Sequence, residues 1–192
     1  MVHAEHRSAE GVRGSLPAGL HLSPVEHLAP AKLWRPAVAR TRRAALNDPA
    51  TCVMTDFTRE SPLTVTEDRP IEDALRDMVN AGVHALLVVR GDRVSGLVTA
   101  YDIQGDRPLS MLLTRSHALP YEIEVGHIMT PWERVAKLDW ASVSTARIHD
   151  IARAFGSTTA SHLVVVEDVE RDGRFVRALI SRRQLRRQLG LD

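Results

Sequence analysis

The chain has 192 residues, with 25 Lys and Arg against 24 Asp and Glu, so its net charge is +1 with neutral histidines. That balance provides no global field to draw it onto a nucleic acid or an anionic membrane. Hydrophobic residues make up 44% of it, enough for an ordinary core, yet no run approaches the roughly 20 apolar residues that span a bilayer. The N-terminus lacks the apolar run of a secretory signal, and the single Cys52 cannot close an internal disulfide. A reducing cytoplasm is therefore the expected location, with Cys52 a small buried apolar group beside Val53 and Met54.

Residues 1–48 carry Pro17, Pro24, Pro30 and Pro36 and no sustained apolar period. They read as a flexible extension, with a short helix expected around Ala37–Leu46. Leu63–Thr66 is a short strand. Asp68 and Pro70 then open a helix whose Ile71, Ala74, Leu75, Met78 and Val79 share one face, and Gly82 stands where it should stop. Ala85–Val89 is continuously apolar, the pattern of a strand buried on both faces. Arg90-Gly91-Asp92-Arg93 is a polar hairpin turn into Val94–Thr99, and another helix begins near Ala100–Asp102.

This β-α-β-β-α order occurs twice. VMTD at Val53–Asp56 returns as IMTP at Ile128–Pro131, 75 positions on. The helix and strand starting at Ile71 align without gaps on those starting at Ile148, 77 positions on, and Val94 aligns on Val176, 82 positions on. The growing offset confines insertions to turns, which marks a duplicated unit of about 60 residues. A unit that small is marginal alone, and two copies sharing a core resolve the difficulty. The expected division is an extension over 1–48, a first repeat over 49–118 and a second over 119–192.

These features together resemble the CBS (cystathionine β-synthase) domain, which occurs in tandem pairs called Bateman modules. The carriers are the VMTD and IMTP segments, the Asp-Ala-Leu helix, the LLVV and LVVV strands, and GLVTAYD with Gly96, Thr99 and Asp102. The resemblance covers about residues 50–190. It implies an α+β fold, two βαββα repeats packed about a pseudo-two-fold axis with a cleft on either side. It also implies a regulatory module, not an enzyme, whose clefts take adenosine-containing ligands such as AMP, ADP, ATP or S-adenosylmethionine. No cofactor is required. The expected partners are a second copy of the chain, as a homodimer, and an unidentified effector protein, with no membrane and no nucleic acid. Apolar helix residues Ile148, Ile151, Ala152 and Phe155, if left uncovered by one module, would support the dimer.

The chemistry of Thr99-x-x-Asp102 can be argued from the residues. A strand ending at a helix start presents free N–H groups to a phosphate, and a hydroxyl there adds one bond. An ionised Asp one turn on has acceptors for both hydroxyls of a ribose. Gly96 lets a ligand or a neighbouring strand approach closely. The same Thr-x-x-Asp is also the pattern of a helix capping box. Thr64, His84 and Ala85 complete the expected ligand-contacting set with Thr99, Asp102 and Gly96. In the second repeat the motif becomes Ala178, Ser181 and Gln184, and a neutral Gln offers no paired acceptors. Ser181, Arg182, Arg183 and His162 form a possible second site for another anion, or a cleft that serves packing alone. Trp132 and Trp140 read as packing residues. A structural pair without ligand and a nucleic-acid-associated protein using the C-terminal arginines are the two other functional readings. No Walker-type loop, HExxH, paired Cys ligands or GxSxG elbow is present in the sequence.

Overall fold

Alternation along the two central apolar strands sets the layers of the molecule. The computed structural model describes residues 43–108, 123–170 and 173–191. A 3₁₀ turn at Ala50–Val53 leads into β1 (Thr55–Asp56), β2 (Thr64–Thr66), α1 (Ile71–Ala81), β3 (Ala85–Arg90), β4 (Arg93–Thr99) and α2 (Ala100–Gln104). The second half follows with α3 (Val125–Ile128), β5 (Thr130–Pro131), a 3₁₀ turn (Trp132–Arg134), β6 (Lys137–Asp139) and α4 (Trp140–Thr145). It ends with α5 (Ile148–Gly156), β7 (His162–Val169), β8 (Gly173–Ser181) and α6 (Arg182–Leu189).

Two four-stranded sheets form, with orders β2-β3-β4-β5 and β1-β8-β7-β6. Exchanging the repeats converts one order into the other, so the topology has an internal two-fold. β2 runs parallel to β3, and β6 to β7, while the remaining pairs are antiparallel. The short lead-in strands change sides: β1 of the first repeat pairs with β8, and β5 of the second pairs with β4. Each sheet therefore draws strands from both 49–118 and 119–192.

Odd and even positions of β3 and β7 go to different layers, because strand side chains alternate between faces. Ala85, Leu87 and Leu97 meet Val164 and Val166 between the sheets. Leu86, Val88 and Val98 pack outward on Ile71, Ala74 and Met78 of α1, joined by Val125 and Ile128 of α3. Leu163, Val165, Ala178 and Ile180 pack on Ile148, Ile151 and Phe155 of α5, joined by Ala50 and Val53. Each exchanged anchor, such as fully buried Val53, contributes about 1.5–3 kcal/mol by leaving water. Arg177 of β8 fastens the first exchange electrostatically. Its guanidinium reaches Asp56 at 3.1 Å and Glu167 at 2.8 Å and stacks 4.4 Å from the Trp140 ring. Burial acts to raise the Asp56 carboxyl, but hydrogen bonds from Thr58 and Arg177 outweigh it and hold it below the usual range.

The structure changes several sequence expectations. Cys52 is exposed, because Ala50 and Val53 are the buried pair of a three-residue-per-turn helix and Cys52 falls between them. On α1 the buried stripe is Ile71, Ala74 and Met78; Val79 is 71% exposed on the outer flank. The helix does stop at Gly82, whose φ of 67° suits a residue without Cβ. Ile148, Ile151 and Phe155 are covered within the chain itself. Residues 43–48 are attached to the second repeat: Ala44 N–H donates to Gln188, and the carbonyls of Leu46 and Asp48 accept from His149 and Ile148. Of the helix expected at Ala37–Leu46, the described part from Arg43 is not helical. The remainder of the 1–48 extension lies outside the described residues. No described helix is long and apolar enough to cross a membrane.

Gly96 serves the exchange. A Cβ there would stand 2.7 Å from the Thr130 carbonyl and 2.8 Å from the Met129 sulfur, so β5 can lie against β4 only beside glycine. Gly96→Ala should cost about 1–3 kcal/mol through this overpacking and lower the melting temperature by roughly 3–10 °C. Gly156→Ala, at a helical position with open space around its Cβ, should leave it unchanged or slightly raised. Equal effects from the two substitutions, read by calorimetry, would contradict the close approach.

Candidate ligand-binding site

β4 ends at Thr99 in extended conformation, and α2 begins at the next residue. The Thr99 hydroxyl accepts from the Asp102 N–H at 3.2 Å, and Asp102 Oδ2 accepts from the Thr99 N–H at 2.9 Å and its Oγ1 at 2.7 Å. The capping-box reading is thus realised. It does not remove Asp102 from a binding role, because among the described residues the other oxygen, Oδ1, is held only by Arg107, at 2.8 Å. α2 spans five residues, too short for a substantial dipole, so its charged side chains must carry any anion recognition.

Two clefts flank the internal two-fold. The larger, of about 800 Å³, contains Thr99, Asp102, Arg107, Thr130, Arg134 and the loop Thr158–Ser161. The smaller, of about 480 Å³, contains Thr55, His84, Ala85, Ser181, Arg183 and Gln184. His162 borders both. The candidate residues therefore meet across the repeats as well as within them, where Ala85 pairs with Thr99 and His162 with Ser181. The two-fold sets the end of β4 beside the start of β7, and the end of β8 beside the start of β3. Thr99 and Asp102 consequently face His162, while His84 and Ala85 face Ser181 and Arg183. Thr64 is exposed on β2 and borders neither cleft; its neighbour Leu63 borders the smaller one. Gly96 lies against β5 as described.

Arg182 borders the larger cleft but is committed to the fold. It donates to the carbonyls of Phe155, Thr158 and Ala160 at 2.6–3.1 Å and lies 4.8 Å from the Phe155 ring. It braces the α5–β7 loop that forms one wall. Arg183 crosses the smaller cleft to His84 Nε2 at 2.7 Å. Guanidinium has no lone pair, so the imidazole nitrogen must be the acceptor. Ser181 caps α6, accepting from Gln184 N–H at 3.4 Å. Trp132 and Trp140 pack as expected, Trp132 under the Lys137 ammonium at 4.6 Å and Trp140 under Arg177.

The sequence reading missed Arg107, Arg134 and Thr130. Thr130 had a signal, being the repeated threonine of IMTP. Arg107 and Arg134 had none: Arg107 lies in the helical residues 106–108 after α2 and Arg134 ends the 3₁₀ turn after β5, and only the exchange of α3 and β5 sets the two on one cleft.

Residues 53–105 match the sequence model of the CBS domain. The chain is similar to a solved structure from Burkholderia ambifaria described as a signal-transduction protein with CBS domains, at 25% identity and a TM-score of 0.50, covering 69% of this chain and 85% of that one. The second unit repeats the topology of the first across the internal two-fold. The chain has the fold of a CBS-domain pair, with the family match on residues 53–105. An uncharacterised conserved protein from Pyrococcus horikoshii shares the fold at 22% identity and a TM-score of 0.50, over 73% of this chain and 91% of that one. So does a CBS-domain containing protein from Agrobacterium tumefaciens, at 18% identity and 0.50, over 69% and 88%. No curated protein matches the chain.

His162 stands at the centre of the pair, buried, with Nδ1 3.0 Å from the Ser161 hydroxyl. Burial, reinforced by repulsion from His84 and opposed by Asp102, pushes its pKa down from 6.5 to about 4. The folded state thus prefers the neutral ring. The stability this represents is fully present above pH 6.5 and is lost as pH falls towards 4. Its size is about 3 kcal/mol by linkage. Denaturant unfolding of His162→Gln should show correspondingly less loss than wild type across that window; parallel curves would contradict the assignment.

Proposed function

We propose that this CBS pair is a ligand-sensing regulatory module that takes an adenosine-containing nucleotide in the larger cleft. The observation that carries the reading is a buried Asp102 carboxylate bordering a space of about 800 Å³ that Arg107 and Arg134 also line. Ligand pockets for small organic molecules run from about 300 to 1,000 Å³. The parts match those of a nucleotide. Leu97, Val135 and Ala136 give an apolar surface for a base, Asp102 gives acceptors for a ribose diol, and Arg107 and Arg134 give charge for phosphate. The smaller cleft has Gln184 in place of the acid, and its Arg183 is spent on His84. One dominant site per chain follows. Binding between the repeats changes how they are held together, and a partner protein reads that change.

A ligand-free structural pair is the competing reading, and the engagement of both Asp102 oxygens by Thr99 and Arg107 is the observation that favours it. A thermal-shift panel of AMP, ADP, ATP and S-adenosylmethionine separates the two. At about 100 times the dissociation constant a ligand stabilises the fold by ~2.7 kcal/mol, a rise of roughly 5–10 °C. Asp102→Asn retains a capping side chain but loses the charge, and should abolish most of that rise. Gln184→Ala should leave it nearly intact. No shift with any of the four at millimolar concentration would overturn the nucleotide reading, and loss through Gln184→Ala alone would move the site to the other cleft.

A further inference from the structure

The two oxygens of Asp102 are held very differently. Oδ2 is locked inside the Thr99 capping box, whereas among the described residues Oδ1 meets one nitrogen, Nη1 of Arg107, at 2.8 Å. The Arg107 side chain is half exposed and comes from the helical residues 106–108, just past the bend at Gly105 that ends α2. The same Nη1 donates to the Ile128 carbonyl at 2.7 Å and lies 3.5 Å from the Thr130 hydroxyl. Arg107 thus ties the acid of the first repeat to the exchanged lead-in of the second.

We propose that Arg107 is a latch on the cleft and sets its preference for phosphorylated ligands. The proposal rests on the nucleotide reading of the cleft. A ribose diol needs the carboxylate oxygen that Arg107 holds. A nucleoside would take that oxygen and strand a guanidinium without its counter-charge. A nucleotide brings a replacement anion into the same space, and guanidinium binds phosphate through paired N–H donors. The ion pair therefore penalises unphosphorylated ligands while costing phosphorylated ones little. Its release also frees the Ile128 carbonyl and Thr130, so occupancy is reported to the β4–β5 junction by the same side chain.

Calorimetric titration of AMP and adenosine into wild type, Arg107→Gln and Arg107→Lys tests this. In wild type AMP should bind far more tightly than adenosine. Arg107→Gln should strengthen adenosine and weaken AMP, so that the ratio of the two affinities falls by about tenfold or more, the value of one charge-assisted hydrogen bond. Arg107→Lys keeps a cation on Asp102 without the planar fork; adenosine should stay weak and AMP should fall. A half-exposed side chain can be exchanged without unfolding the protein, which a melting curve of each variant verifies. If wild type binds AMP but the ratio is unchanged in Arg107→Gln, the latch is overturned and the nucleotide reading stands. If neither ligand binds wild type or Arg107→Gln, both are overturned. Adenosine bound by Arg107→Gln alone supports the latch.

Discussion

The exchange of lead-in segments between the repeats is the constraint on which the rest of the structure depends. Each sheet lacks its fourth strand, and each helical layer lacks part of its apolar filling, until the other repeat supplies it. Ala50 and Val53 fill the layer over β7 and β8, and Val125 and Ile128 fill the layer over β3 and β4. Arg177 pins the first exchange by gathering Asp56 and Glu167 over the Trp140 ring, and Gly96 permits the second by leaving room for the Thr130 carbonyl. A repeat of about 60 residues has too little interior to hold such a sheet alone. Duplication with exchange gives both copies one continuous core, with Leu87, Leu97, Val164 and Val166 between the sheets.

The clefts inherit this crossing. Whatever occupies the space beside Asp102 touches β4 and α2 of the first repeat, β5 on its exchanged strand, and the Thr158–His162 loop of the second. A ligand there has contacts on both repeats by construction, which is the geometry a sensor needs if binding is to alter a relationship between two parts. The internal two-fold does not extend to the chemistry. Gln184 answers Asp102, and the Arg183–His84 contact fills space that its counterpart leaves open. Arg182 holds the wall of the larger cleft from beneath, through carbonyls of the loop it braces. One repeat's divergence thus supports the other's site.

Much of the fold was legible in the residues because local rules and packing agree there. The stop at Gly82 and the Gly91-Asp92 turn follow from backbone preference and the apolar run at Ala85 from burial, and the duplication repeats the run at Leu163. Cys52 and Val79 were misplaced because a periodic pattern gives the direction of a stripe better than its width. The site was less legible. Thr99 and Asp102 announced themselves by motif, but the neighbours that the two-fold brings, His162 to Asp102 and His84 to Ser181, have no local signal that pairs them. Arg107 carries no local signal at all. Its role arises only when α3 and β5 of the second repeat are laid against the first, a long-range event that no short window contains.

The central claim is that the ligand site is built across the repeats around Asp102. Backbone amide chemical shifts recorded during an AMP titration test it most directly. The account predicts saturable shifts at Thr99, Asp102 and Thr130 of one wall and at Ser161 and His162 of the other, with Thr55, Ser181 and Gln184 little changed. Saturable shifts confined to Thr55, Ser181 and Gln184, or none in either cleft at millimolar AMP, would contradict it.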